Sequence, residues 1–90
     1  MPLVKVEFTA RLFRIAGKGG WTFAPVPKRH APPVQHQWGR TSVVATVNGH
    51  TWQTSVWREK SGRTLLPVPK ATRGGLGDGD RVKVRLEFNV

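Results

Sequence analysis

The sequence has no cysteine, no tyrosine and only five carboxylates, and no long apolar run interrupts it. Each shortage excludes something. Without thiols there are no disulfides, no thiolate nucleophile and no cysteine-ligated zinc. Without ~18 consecutive apolar residues no segment spans a bilayer, so no membrane partner is expected. The opening residues, Met1 to Val6, lack the apolar stretch of a signal peptide, and the cytoplasm is the expected compartment. Five carboxylates and three histidines supply acid–base chemistry poorly, so a non-enzymatic role with no cofactor and no metal is expected. What is plentiful is positive charge. Fifteen Lys and Arg against five Asp and Glu leave +10 on 90 residues. Such an excess favours anionic partners, nucleic acid first, and says nothing about fold. Ninety residues make one domain, taken as 1–90, with a modest core: ~35–40% of the unfolded surface stays exposed at this size.

Alternation dominates the chain. Val4, Val6, Phe8, Ala10 and Leu12 share one face, while Lys5, Glu7, Thr9 and Arg11 share the other, which predicts a half-buried strand. Phe13 and Ile15 break the period, as at a bend. Gly17 to Gly20 is a flexible turn. Trp21 to Val26 is extended, and Pro25 and Pro27, lacking donors, require it to end there or to lie at an edge. Lys28 to Gly39 is a loop with at most a short helical turn. Val43–Val47 and Thr51–Trp57 are strands joined by Asn48-Gly49, the residue pair that a type I′ hairpin turn demands. Arg58 to Gly62 is a charged turn, Arg63 to Val68 a strand closed by proline, and Lys70 to Leu76 allows one helical turn. Gly77 to Asp80 is a tight turn in which Gly79 takes positive φ and the Asp80 side chain bonds nearby backbone donors. The last strand is clean, with Val82, Val84, Leu86, Phe88 and Val90 inward and Arg81, Lys83, Arg85, Glu87 and Asn89 outward. Paired antiparallel, the first and last strands bring Lys5 opposite Glu87 and Glu7 opposite Arg85. The expectation is an all-β fold: a small, six-stranded closed barrel with at most one short helical turn, closure removing the exposed edges.

One repeat is visible. Phe23-Ala24-Pro25-Val26-Pro27-Lys28 echoes Leu65-Leu66-Pro67-Val68-Pro69-Lys70, with Gly20 and Gly62 ahead of the copies in register. This predicts an internal pseudo-two-fold.

Several of these features occur together in one known pattern. Trp38-Gly39-Arg40, Val43, Asn48-Gly49 and Trp52-Gln53-Thr54-Ser55-Val56 are followed by Leu65-Leu66-Pro67-Val68, Arg73 and Gly79-Asp80-Arg81-Val82-Lys83-Val84. In this order they resemble the small prokaryotic family DUF1905, a domain of unknown function, and Trp21-Thr22-Phe23 with Pro27 is similar to its first half. The resemblance implies a double-split β-barrel with internal pseudo-symmetry. It carries no activity and no catalytic residues. Relatives often precede a YdeI/OmpD-associated region, so a stand-alone version is expected here. More distantly, Val68-Pro69-Lys70, Arg73, Leu76 and Gly79-Asp80-Arg81-Val82 is similar to the half-barrel of AbrB-type regulators and MazE-type antitoxins. Those swap hairpins between two chains to build a DNA-binding dimer. With both halves in one chain swapping is unnecessary, and a monomer or weak homodimer is expected.

Candidate sites follow from charge and aromatics. Lys28, Arg29, Arg40, Trp57, Arg58, Lys60, Arg63, Lys70 and Arg73 are the candidate residues for binding nucleic acid or another polyanion. They cluster at turns and stand beside tryptophan at Trp57-Arg58 and Trp38-Gly39-Arg40. Trp21, Trp38 and Trp57 are candidates to line a cleft that stacks bases or a planar ligand; plugging the ends of a small barrel is their other use. Trp52 shares its face with Val56 and is read as core. Asn48, Gly49, Gly79 and Asp80 are structural turn residues. His30, His36 and His50 have no metal-ligand spacing, and Thr54-Ser55 lies mid-strand without the sharp turn and paired base of a nucleophile. The function expected is a sequence-tolerant nucleic-acid or polyanion-binding module; the alternative is a small-ligand or peptide-binding barrel with a Trp-lined cleft.

Overall fold

Strict alternation in the first and last strands decides how the molecule is joined. In the computed structural model, which describes residues 3–15, 21–33 and 39–89, β1 (Leu3–Arg11) and β7 (Arg81–Asn89) pair antiparallel. Lys5 stands opposite Glu87, Val6 opposite Leu86, Glu7 opposite Arg85 and Phe8 opposite Val84. This is the register expected from the pattern. A slip of one residue would turn Val82, Val84, Leu86 and Phe88, all buried, toward water. Glu7 and Arg85 approach to 3.9 Å with both side chains half exposed, so the pair adds little. Among the described residues Lys5 and Glu87 do not close to ion-pair distance.

The remaining strands are β2 (Phe13–Arg14), β3 (Thr22–Val26), β4 (Arg40–Val47), β5 (His50–Arg58) and β6 (Thr64–Pro67). All pairings are antiparallel, and the strands form one curled seven-stranded sheet in the order β1-β7-β4-β5-β6-β3-β2. Its two ends are consecutive in the chain, because Leu12 alone separates β1 from β2. Six strands were expected and seven are present among the described residues, and Leu12 is the reason. Its N–H donates to the Asp80 carbonyl at 2.7 Å and its carbonyl accepts from Gly79 N–H at 2.8 Å. Both bonds lie one step past the Arg11–Arg81 pair and tie Leu12 to the Gly79–Asp80 bend, where the β1–β7 ladder ends, while the Leu12 side chain enters the core at 1% exposure.

The turns follow their residues. Asn48 (φ 52°) and Gly49 (φ 82°) join β4 to β5, as a type I′ turn requires. Gly79 has φ 88°, and Asp80 Oδ2 accepts from Gly77 N–H at 2.8 Å. Gly39 precedes β4 at φ 70°, where a Cβ would lie 2.7 Å from the Arg58 carbonyl oxygen. The strand it opens begins at Arg40, earlier than the expected Val43. Pro25 sits within β3 beyond the last pairing with β2, which ends at Phe23. Its missing donor thus faces no neighbouring strand.

At most one helical turn was expected, and two are described: a 3-10 turn at Lys28–His30 and a single α-turn, α1, at Lys70–Arg73. Each follows a Pro-Val-Pro copy. His30 N–H bonds the Pro27 carbonyl at 2.8 Å and Thr72 N–H the Pro69 carbonyl at 3.0 Å. These are matching positions of the repeat. The copies also pair with each other: Phe23 faces Pro67, Ala24 faces Leu66 and Pro25 faces Leu65 across β3 and β6. The expected Gly17–Gly20 turn, Gly20 of the repeat, the middle of the Lys28–Gly39 loop and Val90 lie outside the described residues.

Most of the buried apolar side chains form one cluster, from Phe8, Ala10 and Leu12 through Ala24, Val43, Val47, Val56, Leu66 and Val68 to Val84, Leu86 and Phe88. Among the described residues Thr22, Thr41 and Thr64 are the buried polar ones, and Thr41 Oγ1 donates to the Pro33 carbonyl at 2.8 Å. Among the described residues no buried side-chain nitrogen or oxygen lacks a partner, and no helix is long and apolar enough to cross a membrane.

Candidate functional site

Parity sends Trp57 outward. Its neighbour Val56 is buried, whereas Trp57 is 43% exposed and stands between Arg40 on β4 and Leu65 on β6. The Arg40 guanidinium lies 5.5 Å from the indole centroid, a cation–π contact of about 0.5–1 kcal/mol at an exposed site. Trp21, just ahead of β3, is 61% exposed, and its ring stacks on Phe23 with centroids 6.3 Å apart and planes 18° from parallel. Trp21, Trp57, Arg40, Gln53 and Pro67 line one open groove of about 490 Å³. Two of the three cleft candidates therefore meet in a groove, and their exposure rules out a role as barrel plugs. Trp38 lies outside the described residues. Trp52 is half-buried against the core, as expected.

Trp21 also borders a second cavity of about 590 Å³, which it shares with Arg14, Lys70, Arg73 and Asp78. Arg14 reaches this place through the β2–β3 pairing, where it stands opposite Thr22. Its backbone N–H donates to Asp78 Oδ1 at 2.9 Å. Arg73 is held rigidly, donating from Nη1 to the Val68 carbonyl at 2.9 Å and from Nε to the Leu76 carbonyl at 3.0 Å. Lys70 is exposed at the start of α1.

The other candidate cations are divided among separate places. Lys28 and Arg63 share a cavity of about 340 Å³ with Ser61 and Gly62. Arg63 is occupied there: its Nε donates to Glu59 Oε1 at 2.7 Å, and its guanidinium lies 4.9 Å from the Phe13 ring centroid. The hydrogen bond from Arg63 holds the Glu59 carboxyl below the usual carboxylate range. Desolvation opposes it, and the charge of Arg63 and a bond with Ser61 add to the lowering. Arg58 donates from Nη2 to the Pro32 carbonyl at 3.3 Å, and Arg29 from Nε to His30 Nε2 at 3.3 Å. Lys60 is exposed in the turn after β5.

Sequence patterning missed Arg14: nothing along the chain marks it, and it becomes a neighbour of Trp21 only once the chain bends at Leu12 and pairs with β3. Of the groups with catalytic or metal potential, His30 and Asp80 are engaged elsewhere. His30 stacks on Phe8, with centroids 6.0 Å apart, and Asp80 is bonded within its own turn. The cross-strand hydroxyl pair is Thr46–Thr51, at 2.9 Å. Among the described residues no three His, Asp or Glu side chains gather as metal ligands. His36 lies outside them.

Comparison with known proteins adds the family and nothing on chemistry. The family model described as "Domain of unknown function (DUF1905)" matches residues 8–86, and the chain belongs to that family. No curated protein matches it.

Proposed function

We propose that this chain is a non-enzymatic, cytoplasmic module that binds nucleic acid with little sequence preference, stacking bases on Trp57 and Trp21 and neutralising phosphates with Arg40 and the neighbouring cations. One observation carries the reading: two exposed tryptophans line a single groove, with an arginine laid over one of them. Rings left open to water beside fixed positive charge suit unpaired bases, whose π-faces are all alike to an indole. The net charge of +10 supports an anionic partner, since each phosphate neutralised releases counterions. No helix of useful length exists among the described residues to read a major groove, which favours sequence tolerance.

We further read the scaffold as a double-split barrel whose halves are related by a pseudo-two-fold, acting as a monomer or weak homodimer. In support, β3 pairs with β6 through matching positions of the repeat. In β4 and β7 the shift between the repeat copies carries Val44 onto Leu86 and Ala45 onto Glu87, so the facing pairs Val44–Glu87 and Ala45–Leu86 exchange with each other.

Fluorescence anisotropy with labelled single strands and duplex across a salt series tests the function. With about four phosphate contacts, single-strand affinity falls with a log–log slope near −3. Absence of binding at low salt, or binding indifferent to salt, overturns it. The same groove would then be tested as a cleft for a small planar ligand or a peptide.

A further inference from the structure

The repeat places two cavities at matching positions, and they have diverged in a way that assigns them different work. Val26, Lys28 and Thr64 line one; their counterparts Val68, Lys70 and Thr22 line the other. Where the first cavity has Arg63, the second has Trp21. In the first, Arg63 is neutralised by Glu59 at 2.7 Å. In the second, among the described residues, neither Arg14, Lys70 nor Arg73 has a carboxylate within ion-pair distance. Arg73 is fixed by two backbone carbonyls, so its charge is preorganised at the cavity. Arg14 and Lys70 are exposed, so their charges face any ligand that enters. Three cations and the Asp78 carboxylate leave this cavity at +2.

We propose that the Trp21 cavity is a site for a terminal phosphate monoester carried by a nucleotide, rather than for the diesters inside a strand. A monoester carries about −1.5 to −2 charges near neutral pH and three terminal acceptor oxygens. A diester carries a single charge and two free oxygens, and uses less of a +2 site. Trp21 supplies the second half of the recognition. Packed against Phe23 on one side and 61% exposed, the indole forms the wall between the cavity and the Trp57 groove. A phosphate held by Arg14, Lys70 and Arg73 thus lies next to a ring on which its own base stacks, and the following nucleotides continue toward Trp57. The inference rests on the nucleic-acid reading for its base-stacking wall, and adds an end-specific anchor to it. The phosphate has two sources, a free nucleoside monophosphate or the phosphorylated end of a single strand.

The test uses the full chain and about five probes: one short single-stranded oligonucleotide with a 5′-phosphate, the same strand with a 5′-hydroxyl, the same strand with a 3′-phosphate, and a free nucleoside monophosphate and its unphosphorylated nucleoside as competitors. One phosphorylated end is expected to bind about tenfold more tightly than the hydroxyl strand, and the monophosphate to displace it where the nucleoside does not. In Arg14→Gln/Lys70→Gln the preference collapses to unity, while Lys83→Gln on the outer face of β7 keeps it. If only the free monophosphate competes and the strands differ little, the site belongs to mononucleotides. Equal, salt-sensitive binding of every strand with no competition by the monophosphate overturns this proposal and leaves the nucleic-acid reading standing. A preference that persists in the double variant also overturns it. Failure of every probe at low salt removes both.

Discussion

Ala24 lies directly across the sheet from Leu66, and each holds the second place in its copy of the repeated hexapeptide. Both are fully buried, at 0% exposure. Matching residues of the two copies that face each other compete for one volume, and here a small side chain yields to a large one.

That shared volume predicts strong coupling. Leu66→Ala leaves a cavity and costs about 2–5 kcal/mol. Ala24→Leu overfills the same space and costs about 1–3 kcal/mol. The exchanged pair, Ala24→Leu with Leu66→Ala, is expected to recover at least 1 kcal/mol, roughly, of the summed losses. Urea unfolding of the four proteins measures it, and strictly additive losses would show that the two side chains do not share space.

Two glycines with similar backbone angles separate the cost of conformation from the cost of crowding. At Gly79 (φ 88°) an added Cβ meets nothing within 4 Å, whereas at Gly39 (φ 70°) it lies 2.7 Å from the Arg58 carbonyl. Gly79→Ala is expected to cost about 1 kcal/mol through φ alone. Gly39→Ala costs clearly more, because the β4–β5 backbone must shift. Equal melting temperatures for the two variants would contradict the close approach at Gly39. Asp80→Ala, which strips the Gly77 N–H of its acceptor, is expected to cost about 1 kcal/mol.

The Glu59–Arg63 pair gives stability a sign with pH. Because the folded-state pKa of Glu59 is lowered, its contribution is present above the unfolded carboxylate value of about 4.3 and is lost as pH falls through the lowered folded value. Glu59→Gln should therefore melt below the parent near neutral pH and together with it in strong acid. A gap that widens on acidification would reverse the assignment. Both side chains are well exposed, so the gap is small.

Trp57 and Trp52 should behave as opposites. Trp57→Ala is expected to lose ~1–3 kcal/mol of single-strand binding if one base stacks there, with little change in melting temperature. Trp52→Ala opens the core edge and lowers the melting temperature first. Anisotropy titration beside thermal unfolding distinguishes them; unchanged binding in Trp57→Ala removes the groove from the interface.

The parts of this molecule legible in its sequence are those fixed by neighbours along the chain. Period-two alternation gave Val82 to Phe88 their inward face and with it the pairing of Lys5 with Glu87. The φ demands of Asn48-Gly49 and Gly79 are local, and so is the outward face of Trp57. What stayed hidden depends on distant partners. Nothing around Leu12 announces that the Gly79-Asp80 turn will take its backbone groups, so one strand was expected where two exist. Arg14 follows from the same event. The candidate cations looked alike in sequence, and only side-chain geometry shows Arg63 tied to Glu59 and Arg73 to carbonyls while Lys70 stays open.

The position of β7 between β1 and β4 has a consequence in time. The β4–β5 hairpin can form as soon as His50–Arg58 is synthesised, but β1 finds its neighbouring strand only in Arg81–Asn89. Strand β1 waits for β7 for roughly 5 to 15 seconds at ordinary elongation rates. Throughout that interval Val4, Val6, Phe8 and Ala10 are without their cover. Lys5, Glu7 and Arg11, spaced between them, act as gatekeepers, keeping an unpaired strand soluble on the ribosome until its partner emerges.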